Sequence, residues 1–252
     1  MSREGIGGDD NELSAAYVLH TRKYRDTSLI AELYTKDHGR VAVLAKGVRS
    51  RRAVRQASWQ PFTPLLVSYT GRGDLKTVTA AEFSNTGFRL EGDNLIMGLY
   101  VNELMVRLLA KNDPLENLFG FYQEVLKNLM AGDQCLISLR KFEMFLLQAL
   151  GYGIDFERTA MGEPIQSETY YEYQVGHGFS ALSERWYEDM GDVKATPDEF
   201  RVVRFKGKML LEIAGQDFSG PEVSNSAKVI LRTTFHHLLG GKPLMSRKLF
   251  VR

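Results

Sequence analysis

Between Ala16 and Phe83 five short runs with strand chemistry follow one another too closely to leave room for anything but a small all-β unit. The runs are Ala16–Thr21, Ser28–Thr35, Arg40–Lys46, Pro64–Tyr69 and Lys76–Phe83. They are rich in Val, Leu, Tyr and Thr, and turn formers such as Asp37-His38-Gly39 and Gly71-Arg72-Gly73-Asp74 separate them. No helical period of useful length interrupts the series outside the segment between the third and fourth runs. A five-stranded Greek-key barrel of the oligonucleotide/oligosaccharide-binding (OB) kind fits this pattern. A sandwich fragment or an SH3-like barrel gives nearly the same one.

From about Asp93 the hydrophobic period lengthens. Ile96, Tyr100, Leu104 and Leu108 recur every four residues, as in an amphipathic helix. Asp113-Pro114-Leu115-Glu116 predicts the start of a second helix, with an N-cap, a proline at the first helical position and an acid at the third, running to Met130. Asp133 predicts the cap of a third, opened by Cys135 as a small core residue, with Leu139, Phe142, Leu146 and Leu150 on one face and Gly151-Tyr152-Gly153 at its end. Residues 154–181 read as a hairpin-like segment, with Tyr170–Val175 and Phe179-Ser180-Ala181 around a glycine-bounded turn. A further helix is expected near Pro197–Ala214, weakened by Gly207. Ser219-Gly220-Pro221-Glu222 reads as a capping box for a last helix carrying Ala227, Ile230, Leu231, Thr234 and Leu238 on one face. The expected organisation is α+β: a disordered tail over 1–13, a barrel over 14–83, and a mostly helical domain over 93–252.

Charge divides the chain in the same place. The overall charge is +1, but residues 1–13 carry net −3, residues 14–82 net +7 and residues 83–252 net −3. An anion-binding front and a differently tasked back follow from that asymmetry. The lone cysteine, Cys135, excludes an intrachain disulfide framework and a cysteine zinc cluster. No apolar run approaches the roughly 18 residues of a membrane span, and the acidic, Gly-rich start does not read as a signal or transit peptide. A cytoplasmic, nucleoid-associated protein without membrane partners is the expectation.

Catalytic chemistry finds no foothold. Gly71-x-Gly73 lies between two strands and is a hairpin turn, not a dinucleotide fingerprint. Ser138-Leu139-Arg140-Lys141 matches Ser-x-x-Lys but lacks its companion motifs and falls mid-helix. The histidines (His20, His38, His177, His236, His237) show no i, i+4 pair and join no cysteine or acidic cluster, so no metal or cofactor is expected. The chain reads as a non-enzyme.

Binding chemistry is concentrated between Arg40 and Gly73, where Arg40, Lys46, Arg49, Arg51, Arg52, Arg55 and Arg72 stand with no carboxylate among them. A basic loop held between barrel strands can clamp a phosphate backbone, because its charge releases condensed counterions. A solvated arginine loop without a ligand fits the same residues. Trp59, Phe62 and Tyr69 interleave with the arginines. Trp59 and Tyr69 suit base stacking and core filling equally, whereas Phe62 reads as core. Lys76 extends the basic surface if it faces the same side.

An ordered set of stretches carries more than charge. In the first half it comprises Tyr17-Val18-Leu19-His20-Thr21-Arg22, Ala45-Lys46-Gly47-Val48-Arg49-Ser50, Gln60-Pro61-Phe62-Thr63-Pro64-Leu65 and Gly98-Leu99-Tyr100-Val101-Asn102-Glu103-Leu104. It continues through Leu139-Arg140-Lys141-Phe142-Glu143, Leu150-Gly151-Tyr152-Gly153 and Gly241-Lys242-Pro243-Leu244-Met245-Ser246-Arg247-Lys248-Leu249-Phe250. In these stretches and their order the chain resembles the RecO family of bacterial DNA repair proteins. The resemblance implies an N-terminal OB barrel, a helical C-terminal domain, and a protein that binds single- and double-stranded DNA and anneals complementary strands. It implies joint action with RecR to load RecA on DNA coated by single-strand-binding protein (SSB). It places DNA contacts on Lys46, Arg49, Arg51, Arg52, Arg55 and Arg72, and implies that the helical domain docks the acidic SSB tail. Arg140 and Lys141, beside Leu139 and Phe142, have the chemistry for those tail carboxylates, and an ordinary helix-surface ion pair with Glu143 fits them as well. Some members ligate zinc through four cysteines between the helices; Gly153–Ala181 contains none. Against this stand an RNA-binding OB adaptor and a nuclease or ligase accessory domain.

Overall fold

The computed structural model describes residues 13–49, 59–84, 87–182 and 204–250. Arg51, Arg52, Arg55, most of the acidic tail and the 197–203 part of the expected fourth helix lie outside them. The chain forms two compact units, Met1–Cys135 with Pro243–Arg252, and Leu136–Lys242.

The first unit is built on a closed barrel of β1 (Ser14–Tyr24), β2 (Ser28–Thr35), β3 (Gly39–Ala45), β4 (Pro64–Thr70) and β5 (Leu75–Phe83). Its strand order is β1-β2-β3-β5-β4, closed by β1 pairing with β4. This is the expected OB barrel, and every strand stands where the sequence placed it to within two or three residues. Closure leaves no open edge, and alternate residues point inward. Val18, Ala31, Leu33, Val43, Leu65 and Val67 accordingly fill the interior. The pairing of β1 with β2 slips between Val18 and His20. The carbonyl freed at Leu19 accepts the Asn102 side-chain amide at 2.8 Å, and Asn102 Oδ1 accepts the Tyr122 hydroxyl at 2.7 Å, so this buried polar cluster is internally satisfied.

Helices α1 (Gly92–Leu108) and α2 (Leu118–Ala131) belong to this unit. α1 packs on Phe62 at Gly98, where a Cβ would lie 2.9 Å from the phenyl ring. α2 starts four residues later than Asp113-Pro114 predicts. The intervening segment is held against β3 instead: the Asn112 N–H donates to the Arg40 carbonyl at 2.9 Å, and Gly39 lies too close to Asp113 O to admit a Cβ. Tyr34, whose hydroxyl bonds the Leu115 backbone, is pushed up to about 12, chiefly by burial, with Asp113 adding to the rise and the Leu115 bond opposing it.

The end of the chain is strapped to α1 by one carboxylate. Glu103 accepts the N–H groups of Met245 and Ser246 and the Ser246 hydroxyl at 2.7–2.8 Å, at the start of the 3-10 helix Ser246–Phe250, and Arg107 donates to the Pro243 carbonyl at 2.8 Å. Burial alone would raise the Glu103 carboxyl, but those donors and Arg107 outweigh it and hold it below the ordinary value of 4.5. Its contribution is therefore complete above pH 4.5 and is lost as pH falls through the lowered folded-state pKa. Glu103→Gln should remove that acid dependence and cost about 1–2 kcal/mol at neutral pH. Amide protection factors at Met245 and Ser246 across the acid range, with the intrinsic exchange rate divided out, check it: wild type should lose protection as pH falls and the variant should be weakly protected throughout.

The second unit holds α3 (Cys135–Ala149, whose first residue belongs to the first unit), a sheet of order β7-β6-β8 formed from β6 (Tyr170–Gln174), β7 (Gly178–Ala181) and β8 (Arg204–Lys206), and helices α4 (Gly207–Ala214) and α5 (Pro221–Leu238). The expected hairpin is β6–β7. Cys135 is only partly buried, so it is not the core residue expected. Gly207 opens α4 rather than weakening it, because a Cβ there would lie 2.0 Å from the Gln166 carbonyl oxygen, and Arg204–Lys206 is a strand, not helix. The capping box before α5 does not form: Gly220 is the N-cap, and the Ser219 hydroxyl donates to Asp217 at 2.6 Å. α3 ends in a Schellman turn, with Tyr152 N–H donating to Leu147 O and Gly151 at φ +80. No helix among the described residues is long and apolar enough to cross a membrane.

Candidate nucleic-acid interface

The barrel sorts the basic residues by strand end. β1 runs out to Tyr24, a turn of Arg25-Asp26-Thr27 follows, and β2 returns from Ser28, which faces Tyr24. Leu29 faces Ala45 at the end of β3, so Lys23, Arg25 and Lys46 are gathered at one end of the barrel. With strands about 4.8 Å apart, the Tyr24 and Lys46 backbones stand roughly 10 Å from one another. Arg22, Lys23, Arg25 and Lys46 are exposed. Arg49 fastens the segment leaving β3 to this turn: its N–H donates to the Thr27 carbonyl at 2.8 Å and its guanidinium to the Arg25 carbonyl at 3.2 Å. Arg22, Lys23 and Arg25 stand outside the basic loop that charge alone singles out, and the signal that marks them is three cations within four residues beside a turn.

The other expected contacts lie elsewhere. β5 runs parallel to β3 with Leu75 beside Ala42, which puts the Gly71–Asp74 turn near the start of β3, roughly 20 Å along the strand from Lys46. Arg72 is exposed there, and Lys76 Nζ donates to the Gly71 carbonyl at 2.7 Å. Lys111 pairs with Asp74 at 3.1 Å in the same region. Tyr69 is at that end too, its hydroxyl 2.9 Å from His38 Nδ1. Its phenol is raised, first by burial, and by Asp37, against a hydrogen bond with Thr35.

Three expectations fail on burial. Trp59 is 3% exposed and packs edge-on against Phe83 at 5.1 Å, so it fills the barrel core and offers no face to a base. Arg40 is bound to Glu32 at 2.8 Å and donates to the Leu109 carbonyl at 3.0 Å, which neutralises its charge inside the fold. In the second unit, Leu139 and Phe142 are buried, and Arg140 is buried in an ion pair with Glu143. Arg140 is therefore not a surface cation beside an apolar groove. Of that set Lys141 alone is partly exposed. Among the described residues, no three His, Cys, Asp or Glu side chains are placed to hold a metal ion.

The family model "Recombination protein O N terminal" matches residues 11–86 and "Recombination protein O C terminal" matches residues 89–248. The DNA repair protein RecO of Methylococcus capsulatus is 41% identical over 94% of this chain and 92% of its own length. Those of Nitrosococcus oceani and Psychromonas ingrahamii are each 40% identical, over 94% and 95% of this chain and 92% and 97% of theirs. The chain belongs to the RecO family of DNA repair proteins.

Proposed function

We propose that the chain is a non-enzymatic DNA-binding mediator of recombinational repair, which holds single and double strands, anneals complementary strands, and acts with RecR to load RecA on SSB-coated DNA. The observation that carries the DNA-binding part is the cluster of exposed cations at the β1–β2 turn of a closed OB barrel. Loops at this position are where OB barrels take oligonucleotides. Family likeness supports the annealing role and the partners. Cations that neutralise phosphate repulsion while leaving base edges free let Watson–Crick pairing supply the specificity. Arg72 and Lys76, at the other end of the barrel, serve as a second contact for a long strand.

Annealing of two complementary oligonucleotides, naked or precoated with SSB, with and without RecR, tests the reading. The protein should accelerate pairing on naked strands, and binding should weaken steeply with salt, log affinity falling by about 0.7–0.9 per phosphate contact for each decade. Salt-insensitive binding, or a marked preference for RNA of the same sequence, would instead favour an RNA adaptor reading 2′-hydroxyls.

A further inference from the structure

At the basic end of the barrel, one aromatic side chain stands among the described cations. Tyr24 is the last residue of β1, half-buried, with Lys23 and Arg25 as neighbours and Lys46 two strands away. Arg25 adopts a left-handed backbone, φ 51°, and lays its guanidinium over the Tyr24 ring, 5.3 Å from the centroid. The turn beneath is pinned by the two Arg49 bonds to Arg25 and Thr27. The aromatics that the sequence interleaves with arginines are differently engaged, Trp59 in the core and Tyr69 on His38 at the far end.

We infer that Tyr24, with Arg25 stacked on it, is the platform on which an unpaired base of a bound strand stacks, and that it makes this end of the barrel favour single strands over duplex; the inference rests on the DNA-binding reading above. A ring already held by a guanidinium and a pinned turn loses little freedom on binding, so the stack is prepaid in order rather than formed at the encounter. Duplex bases are stacked on one another and present phosphates but no free face. The cations therefore serve both forms of DNA, and Tyr24 serves only one.

The test compares binding of a fluorescent oligo-dT and of a blunt-ended two-strand duplex, at one salt concentration, by wild type, Tyr24→Ala and Tyr24→Phe. Tyr24→Ala should weaken oligo-dT binding about tenfold and leave duplex binding within about twofold, while Tyr24→Phe should match wild type on both. An equal loss on both forms, no loss on either, or Phe behaving as Ala would overturn the platform while leaving the DNA-binding reading intact. Wild type binding neither probe would remove the reading itself and the inference with it. Should Tyr24→Ala melt early, Tyr24→Trp reads the stack directly. Its emission, after subtraction of the wild-type signal, should quench on oligo-dT and not on duplex, and no quenching on oligo-dT refutes the platform.

Discussion

Changing Lys23→Ala, Arg25→Asn and Lys46→Ala together is expected to lower the slope of log affinity against log salt on single-stranded DNA by about 2, close to 0.7 for each phosphate contact removed. Affinity at low salt should fall by about one to two orders of magnitude in parallel. The three side chains are exposed and gathered at one strand end, so they can act on the same stretch of backbone. Asparagine is the choice at position 25 because the backbone there sits at φ 51°, which Asn tolerates better than Ala. Arg49 is left in place, since its bonds to Arg25 and Thr27 hold the turn, and removing it would confound charge with shape. Arg72→Ala, set against Arg25→Asn alone, is the matched control. It removes an exposed cation from the opposite end of β3, and should lower the slope on short oligonucleotides far less. Equal effects of the two variants would place the backbone contacts elsewhere on the protein. Titrations at several salt concentrations, with melting curves alongside, decide it.

That design could not have been drawn from the sequence. The strand spans were legible because period, β-branched content and turn formers are local properties, and the barrel follows from their number and spacing. What local signals do not carry is the partner. Arg40 belongs by charge to the basic run, yet β2 brings Glu32 diagonally beside it, and Glu32 is eight residues earlier in the chain. Trp59 sits among arginines in sequence but packs on Phe83, which enters from β5. Asp113-Pro114 has the composition of a helix start, and the contact with Gly39 and Arg40 overrides it. The Arg22-Lys23-Tyr24-Arg25 run was readable as charge, but its place beside Lys46 needed the register of three strands.

The buried pair in the second unit gives the largest expected loss of stability, and it changes how a partner site there must be tested. Arg140 and Glu143 lie one turn apart on α3, with side chains only 8% and 1% exposed. Arg140→Ala takes the guanidinium from a carboxylate that stays out of water, and should cost about 3–5 kcal/mol. Loss of binding to an acidic, apolar-ended peptide such as the SSB tail would then report a damaged unit as readily as a missing contact. Arg140→Met combined with Glu143→Leu removes both charges and keeps the volume, so it should recover most of the stability, as such exchanges of buried pairs often do. Denaturant melts of the single and double variants measure the coupling. Peptide binding by the double variant then isolates the recognition question. If it folds and still binds, the carboxylates are held by another cation, and Lys141, the partly exposed neighbour, is the residue to change next. If it folds and has lost binding while Lys141→Ala has not, Arg140 must leave Glu143 to meet the peptide, and the ion pair is the competitor that the tail displaces.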